Sequence, residues 1–277
     1  MGKRKNEEEQ DFSEDDDTKE LVDVDFEFFD PSQIDYLAIK RLLNQLFGWD
    51  SLIFGVENLT ELILSQPLVG STVKGDGIES DPYAVLSVIN INVHREHPSI
   101  KAIVSYLLEK VSHNSAAAST LGPLLSPQAL AASNHHTGLI ISERLINMPP
   151  QIMPPMYKML EDEIQWAVEE NEPYDFENLI VISRCFRFSD EEENTSNATK
   201  PNKKQKRKGG EIHSYHAEDE CIAQVGVMQA NYEFTHRPPR EPESFGVDLA
   251  GRVTLFPRSK LHELVVSLQE SFPPQRA

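Results

Sequence analysis

Gly138-Leu-Ile-Ile-Ser-Glu143, Asn147-Met-Pro-Pro-Gln-Ile-Met-Pro-Pro155 and Leu179-Ile-Val-Ile182 are pieces of one stretch, Thr137 to Phe188, whose reading decides the fold. The first and third pieces are apolar runs of strand length. Between them Met156, Met159, Leu160, Ile164, Ala167 and Val168 recur at helical spacing on one face. Strand, helix and strand over this length predict a βαβ unit, its helix crossing over to bring the two strands parallel. Such crossovers are right-handed. The middle piece is a loop without glycine, and none occurs between Glu143 and Trp166. It carries Pro149, Pro150, Pro154 and Pro155 instead. Proline fixes φ and has no N–H to donate, whereas a phosphate-cradling turn needs glycine and free backbone donors. The loop reads as a stiff connector, with Pro154 or Pro155 starting the helix.

Upstream, Val22–Phe28 alternates apolar and acidic residues and predicts a half-buried strand. Asp30 as cap and Pro31 at the first helical position predict a helix to Phe47, burying Ile39, Leu42, Leu43 and Leu46 and ended by Gly48. A short helix over Leu59–Leu64 closes at Pro67. Val69–Lys74 and Ala84–Val93 predict two strands joined as a hairpin across Gly75–Asp81. Ser99–Ser112 reads as a helix with Ile103, Tyr106, Leu107 and Val111 inward, and Ser115–Ser133 as loop with a short helix near Gln128. Downstream, Cys221–Met228 to Phe234 reads as a strand or bent strand, Phe245–Asp248 as irregular, Arg252–Phe256 as a strand and Ser259–Phe272 as a helix burying Leu261, Leu264, Val265 and Leu268. The class is α/β. A single domain over residues 21–277 is expected, interrupted at 189–210 by a disordered insertion that is acidic, then basic.

The 277 residues carry a formal charge of −19. Residues 1–30 hold 13 Asp/Glu against 4 Lys/Arg, so about half of the charge sits in a ninth of the chain. Residues 1–20 read as a disordered acidic tail in which Glu7, Glu8, Glu9, Glu14, Asp15, Asp16 and Asp17 would hold a basic partner. The bland alternative is a solvated tail that aids solubility. Ser13, before Glu14-Asp-Asp-Asp17, suits an acidophilic kinase. Such a chain is repelled by phosphate backbones, so direct nucleic-acid binding is not expected. No apolar run is long enough to span a bilayer and no signal-peptide core opens the chain, so an intracellular protein without membrane contact is expected. Cys185 and Cys221 read as buried free thiols. In the insertion Lys203, Lys204, Lys206, Arg207 and Lys208 form a compact basic run that reads as a nuclear import signal, with Lys3-Arg-Lys5 a weaker second.

His94-Arg-Glu-His97 and His213-Ser-Tyr-His216 each space two histidines three apart. Neither has a second ligand pair, so they read as polar surface histidines and no metal is expected. No Walker loop, G-x-G-x-x-G or G-x-S-x-G is present. Glu161, Asp162 and Glu163 read as a solvated acidic helix face.

Over Glu143-Arg-Leu-Ile-Asn-Met-Pro-Pro150 and Pro154-Pro-Met-Tyr-Lys-Met-Leu-Glu-Asp-Glu-Ile-Gln-Trp166 the chain resembles the BCCIP family, acidic nuclear proteins found from fungi to animals. The acidic N-terminus and the acidic-then-basic insertion are like its fungal branch. The resemblance implies a mixed, twisted sheet with helices on both faces, like a Gcn-type N-acetyltransferase without the cofactor loop. It also implies a non-enzymatic chaperone and transport adaptor with no cofactor. Such a protein would escort a large-subunit ribosomal protein, support nuclear export of cargo including a phosphatidylinositol phosphate kinase, engage nuclear transport factors, and shuttle between nucleus and cytoplasm. The rival readings are an acyltransferase-like enzyme with an unconventional cofactor site, or a scaffold in genome-maintenance and cell-cycle complexes.

Overall fold

β1, Glu27–Phe29, is a three-residue edge strand in the computed structural model, which describes residues 25–66, 68–132, 134–188, 211–236 and 247–274. Residues 22–24 of the expected first strand lie outside the described residues, and Asp25 and Phe26 are not in a strand. The ladder is short because β2 is only Ser71–Lys74, paired from Glu27↔Lys74 to Phe29↔Thr72. The first helix also starts later than its sequence signals suggest. A 3₁₀ turn, Gln33–Asp35, precedes α1, Tyr36–Phe47. Asp35 rather than Asp30 organises this start: it accepts from the Ser32 N–H at 2.9 Å and pairs with the buried Lys74 ammonium at 2.6 Å. A buried ammonium requires such an anion. Ile39, Leu42, Leu43 and Leu46 are buried, each contributing roughly 1.5–3 kcal/mol. Gly48 at φ 53° ends the helix.

α2 is Val56–Leu64 and β3 is Ala84–Asn90. β2 and β3 form the expected hairpin. β3 stops at Asn90 because its side-chain oxygen accepts from the Asn92 and Val93 N–H groups and turns the chain. α3 is Pro98–Val111. Over 115–133, expected to be mostly loop, two helices form: α4, Ser115–Leu124, and α5, Pro127–Leu130. Asn114 caps α4 through the Ala117 N–H at 3.1 Å, the alanines favour helix, and Ala117 and Leu121 are buried.

β4, His136–Arg144, α6, Met153–Glu169, and β5, Phe176–Phe188, are the expected βαβ unit, and β4 and β5 are parallel. β6 is Ile212–Ser214. The bent strand expected from Cys221 is instead a helix, α7, Asp219–Val225, followed by β7, Met228–Tyr232. Cys221, Ile222 and Val225 fall on one helical face and bury it, which overrides the β-branched composition. β8, Val247–Pro257, begins earlier than expected, with Val247 opposite Phe188. α8 is Leu261–Ser271 and buries the four expected residues.

The sheet order is β1-β2-β3-β4-β5-β8-β7, with β6 also paired to β5, and every described pairing except β4–β5 is antiparallel. Its central strands are buried on both faces. Leu139, Ile141, Ile180, Ile182, Val253 and Leu255 pack under α1 to α5. Ile140, Leu179, Val181 and Phe256 pack under α6, α7 and α8. Adjacent residues pointing to opposite cores explain why these strands read as continuous apolar runs.

Candidate functional site

Ligands of open α/β sheets bind at the carboxyl ends of parallel strands, where neighbouring connections part. Here that place lies between β4 and β5. They pair only from His136↔Phe176 to Ile140↔Val181. Beyond, β4 stays with β3, whereas β5 follows β8 and takes β6 on its other edge. The strands separate, and a crevice opens past Ile140 and Val181.

The chain's own side chains fill this crevice. Glu143 of β4 accepts from Arg184 of β5 at 2.7 and 3.2 Å, from Gln45 of α1 at 2.7 Å, and meets His216 at 2.8 Å. Arg144 forms a bidentate pair with Glu218, both contacts at 2.8 Å, and donates to the Met148 carbonyl at 2.8 Å. The Tyr215 ring lies 3.7 Å from the Arg184 guanidinium carbon. The Glu143, Arg144, Arg184, His216 and Glu218 side chains are each 5% exposed or less. Thus the segment between β6 and α7 is latched to both sides of the split. Burial pushes the Glu143 carboxyl up, but His216 and Arg184 outweigh it and hold the group below its usual range. Asp219, next to Glu218, has the opposite balance: burial and then the Glu218 and Glu143 charges push its carboxyl well up.

The proline loop offers little to an anion. Met148, Ile152 and Met153 spend their N–H groups on Leu145, Pro149 and Pro150 carbonyls, and the four prolines have none. At the opposite, amino end of β4 and β5 lies a shallow, open depression of about 520 Å³ lined by His135, His136, Asp175 and Glu177. His135 there contacts Glu177 at 2.6 Å.

Glu7, Glu8, Glu9, Glu14, Asp15, Asp16 and Asp17 of the tail, and Lys203, Lys204, Lys206, Arg207 and Lys208 of the insertion, lie outside the described residues. Of the histidine pairs, His216 is not a surface residue but a buried partner of Glu143, and His97 precedes α3. Among the described residues no group of three or more His, Cys, Asp or Glu is placed to hold a metal ion, and no helix is long and apolar enough to cross a membrane. Cys185 and Cys221 are free and buried, and burial pushes the Cys185 thiol up to about 11. Glu163 departs from the expected solvated acidic face. It turns inward to accept from the Gly70 N–H at 2.9 Å and the Ser71 hydroxyl at 3.1 Å, and burial raises its pKa. Trp166, by contrast, is 63% exposed.

The molecule is therefore a mixed-sheet α/β protein whose parallel-strand crevice is closed by its own ion pairs. The BCCIP family model matches residues 21–222. The chain is 41% identical over 263 residues to "Protein bcp1" of Schizosaccharomyces pombe, covering 91% of each, and 38% identical over 270 residues to "Protein bcp1" of Emericella nidulans, covering 93% of this chain and 90% of that one. The crystal structure of BCP1 from Saccharomyces cerevisiae superposes with a TM-score of 0.62 at 25% identity, over 94% of this chain and 93% of that chain. This chain belongs to the BCCIP family.

Proposed function

We propose that the protein is a non-enzymatic acidic chaperone and transport adaptor for a basic cargo, a large-subunit ribosomal protein, with a role in nuclear export. The observation that carries this is the charge of −19, half of it in residues 1–30. A cationic ribosomal protein free of RNA attracts any polyanion, and a polyanionic protein screens it until assembly. The filled crevice supports the non-enzymatic side, because the place where an α/β sheet ordinarily takes a small ligand holds Glu143, Arg184 and His216. A scaffold resembling an N-acetyltransferase without its cofactor loop suits the same role, since fold does not fix function. Lys203–Lys208 brings the protein into the nucleus, from which it shuttles with cargo. A phosphatidylinositol phosphate kinase and nuclear transport factors are further partners on this proposal.

The test is surface plasmon resonance of the full chain against purified large-subunit ribosomal proteins and an unrelated protein of equal positive charge. One ribosomal protein should bind well above the control, and deleting residues 1–20 should slow association more than it speeds dissociation. If all cations bind alike, the specific escort role is wrong.

A further inference from the structure

α6 buries Met156, Tyr157, Leu160, Ile164 and Ala167 and turns Trp166 to solvent. Asp162 at i−4, Glu169 at i+3 and Glu170 at i+4 are the same-face neighbours of that indole. Glu169 and Glu170 are exposed, and Glu172 follows just past the helix end. The last turn of α6 contains no basic residue. A helix C-terminus carries the negative end of the backbone dipole, so carboxylates are unfavourable there and cations favourable. Two local rules are broken together: a large aromatic is exposed, and anions crowd the negative helix end. Within the helix only Gln165 offers Glu169 a donor, at 2.9 Å, and Lys158 pairs with Asp162 a turn and more away from that end. Broken local rules without an internal compensation mark functional or strained sites.

We propose that the exposed C-terminal half of α6 is a docking face for a Lys/Arg-rich segment of a protein partner, with Trp166 as its anchor. The indole face takes a guanidinium or ammonium group by cation–π contact, the largest such attraction among the aromatic side chains. Glu169, Glu170 and Glu172, with the helix dipole, hold neighbouring cations. Charge complementarity selects this occupant: an apolar partner would strand the carboxylates, and a nucleic acid would be repelled by them. The inference rests on the proposed basic cargo and adds where the folded domain, as distinct from the tail, meets it.

Trp49 and Trp166 are the chain's two tryptophans, so Trp49→Phe in the full-length protein leaves Trp166 as a single fluorescent reporter. Titration with a deca-arginine peptide should change its emission saturably, and Glu169→Gln with Glu170→Gln should weaken that binding about tenfold. Against the ribosomal protein selected by surface plasmon resonance, Trp166→Ala should weaken binding by about 3- to 30-fold, largely through faster dissociation, and Trp166→Phe should restore part of it. Circular dichroism of each variant should match the wild type, because the side chain is exposed. Unchanged Trp166 emission, or a Trp166→Ala variant that binds cargo like the wild type, overturns the docking face and leaves the chaperone proposal standing. Absence of any cargo binding by the wild type removes both.

Discussion

Replacing Glu143 by glutamine tests the latch across the β4–β5 split. Glu143 is fully buried and receives Arg184, Gln45 and His216. The amide keeps the shape but removes the charge, leaving the Arg184 guanidinium, 4% exposed, without its anion. Removing one partner of a buried pair costs about 3–5 kcal/mol, against about 0–1 kcal/mol for an exposed pair. At roughly 2–4 °C per kcal/mol for a chain of this size, the melting temperature should fall by about 6–20 °C. Guanidinium unfolding followed by circular dichroism, at unchanged slope, measures the loss. Pairing Glu143→Leu with Arg184→Met should recover part of it, because the guanidinium is no longer stranded, although His216 still loses its buried partner. The pH dependence gives an independent check. Glu143 has a depressed folded pKa, so its contribution is present above the ordinary carboxylate value of 4.5 and disappears as pH falls through the folded value. The variant should therefore lose less stability on acidification than the wild type. A cost below about 1 kcal/mol, with the same acid limb, would refute the latch.

Asp219 should behave in the opposite sense. Its folded pKa is raised by burial and by Glu218, so it favours folding below the ordinary carboxylate value and loses that contribution as pH rises. Asp219→Asn should thus stabilise the protein more at pH 8 than at pH 5, measured by thermal unfolding; an equal effect at both would contradict the raised pKa. Calorimetry with acetyl-coenzyme A should give no binding heat, because the loop prolines have no N–H to donate and Glu143, Arg184 and His216 fill the crevice; a micromolar dissociation constant would restore the enzyme alternative. Alanine at Lys203, Lys204, Lys206, Arg207 and Lys208 should move a fluorescent fusion toward the cytoplasm, and unchanged nuclear signal would shift the import role to Lys3-Arg-Lys5 or to a partner.

The βαβ unit was legible because its two periods are uninterrupted: apolar runs for strands buried on both faces, and a 3.6-residue pattern between them. α1, α3 and α8 were legible for the same reason. α4 was hidden by its small side chains, since Ala117 and Leu121 alone give too narrow a stripe to show a period. α7 was misread because Ile222 and Val225 carry strand propensity, and only packing against α8 and β8 decides between strand and helix. The latch was the larger omission. Glu143, Arg144 and Arg184 stand as charges beside apolar strand runs, a visible signal that they are paired inside. What the sequence could not show is the partner set, because Glu143 and His216 are 73 residues apart and meet only where the strands separate. Glu163 was similarly hidden: it follows two acidic residues that stay partly exposed, Glu161 and Asp162, and its partners Gly70 and Ser71 come from a distant strand end.

We propose that this acidic protein keeps a cationic ribosomal protein away from RNA. The most direct measurement is light scattering of one purified large-subunit ribosomal protein mixed with non-cognate RNA near physiological salt, where exposed charges act over about 8–10 Å. Adding a stoichiometric amount of the full-length protein should keep the mixture clear. A chain lacking residues 1–20 should protect only partly, and an unrelated protein of equal negative charge should protect less than either. Equal protection by the unrelated polyanion, or precipitation in the presence of the full-length protein, would contradict the claim.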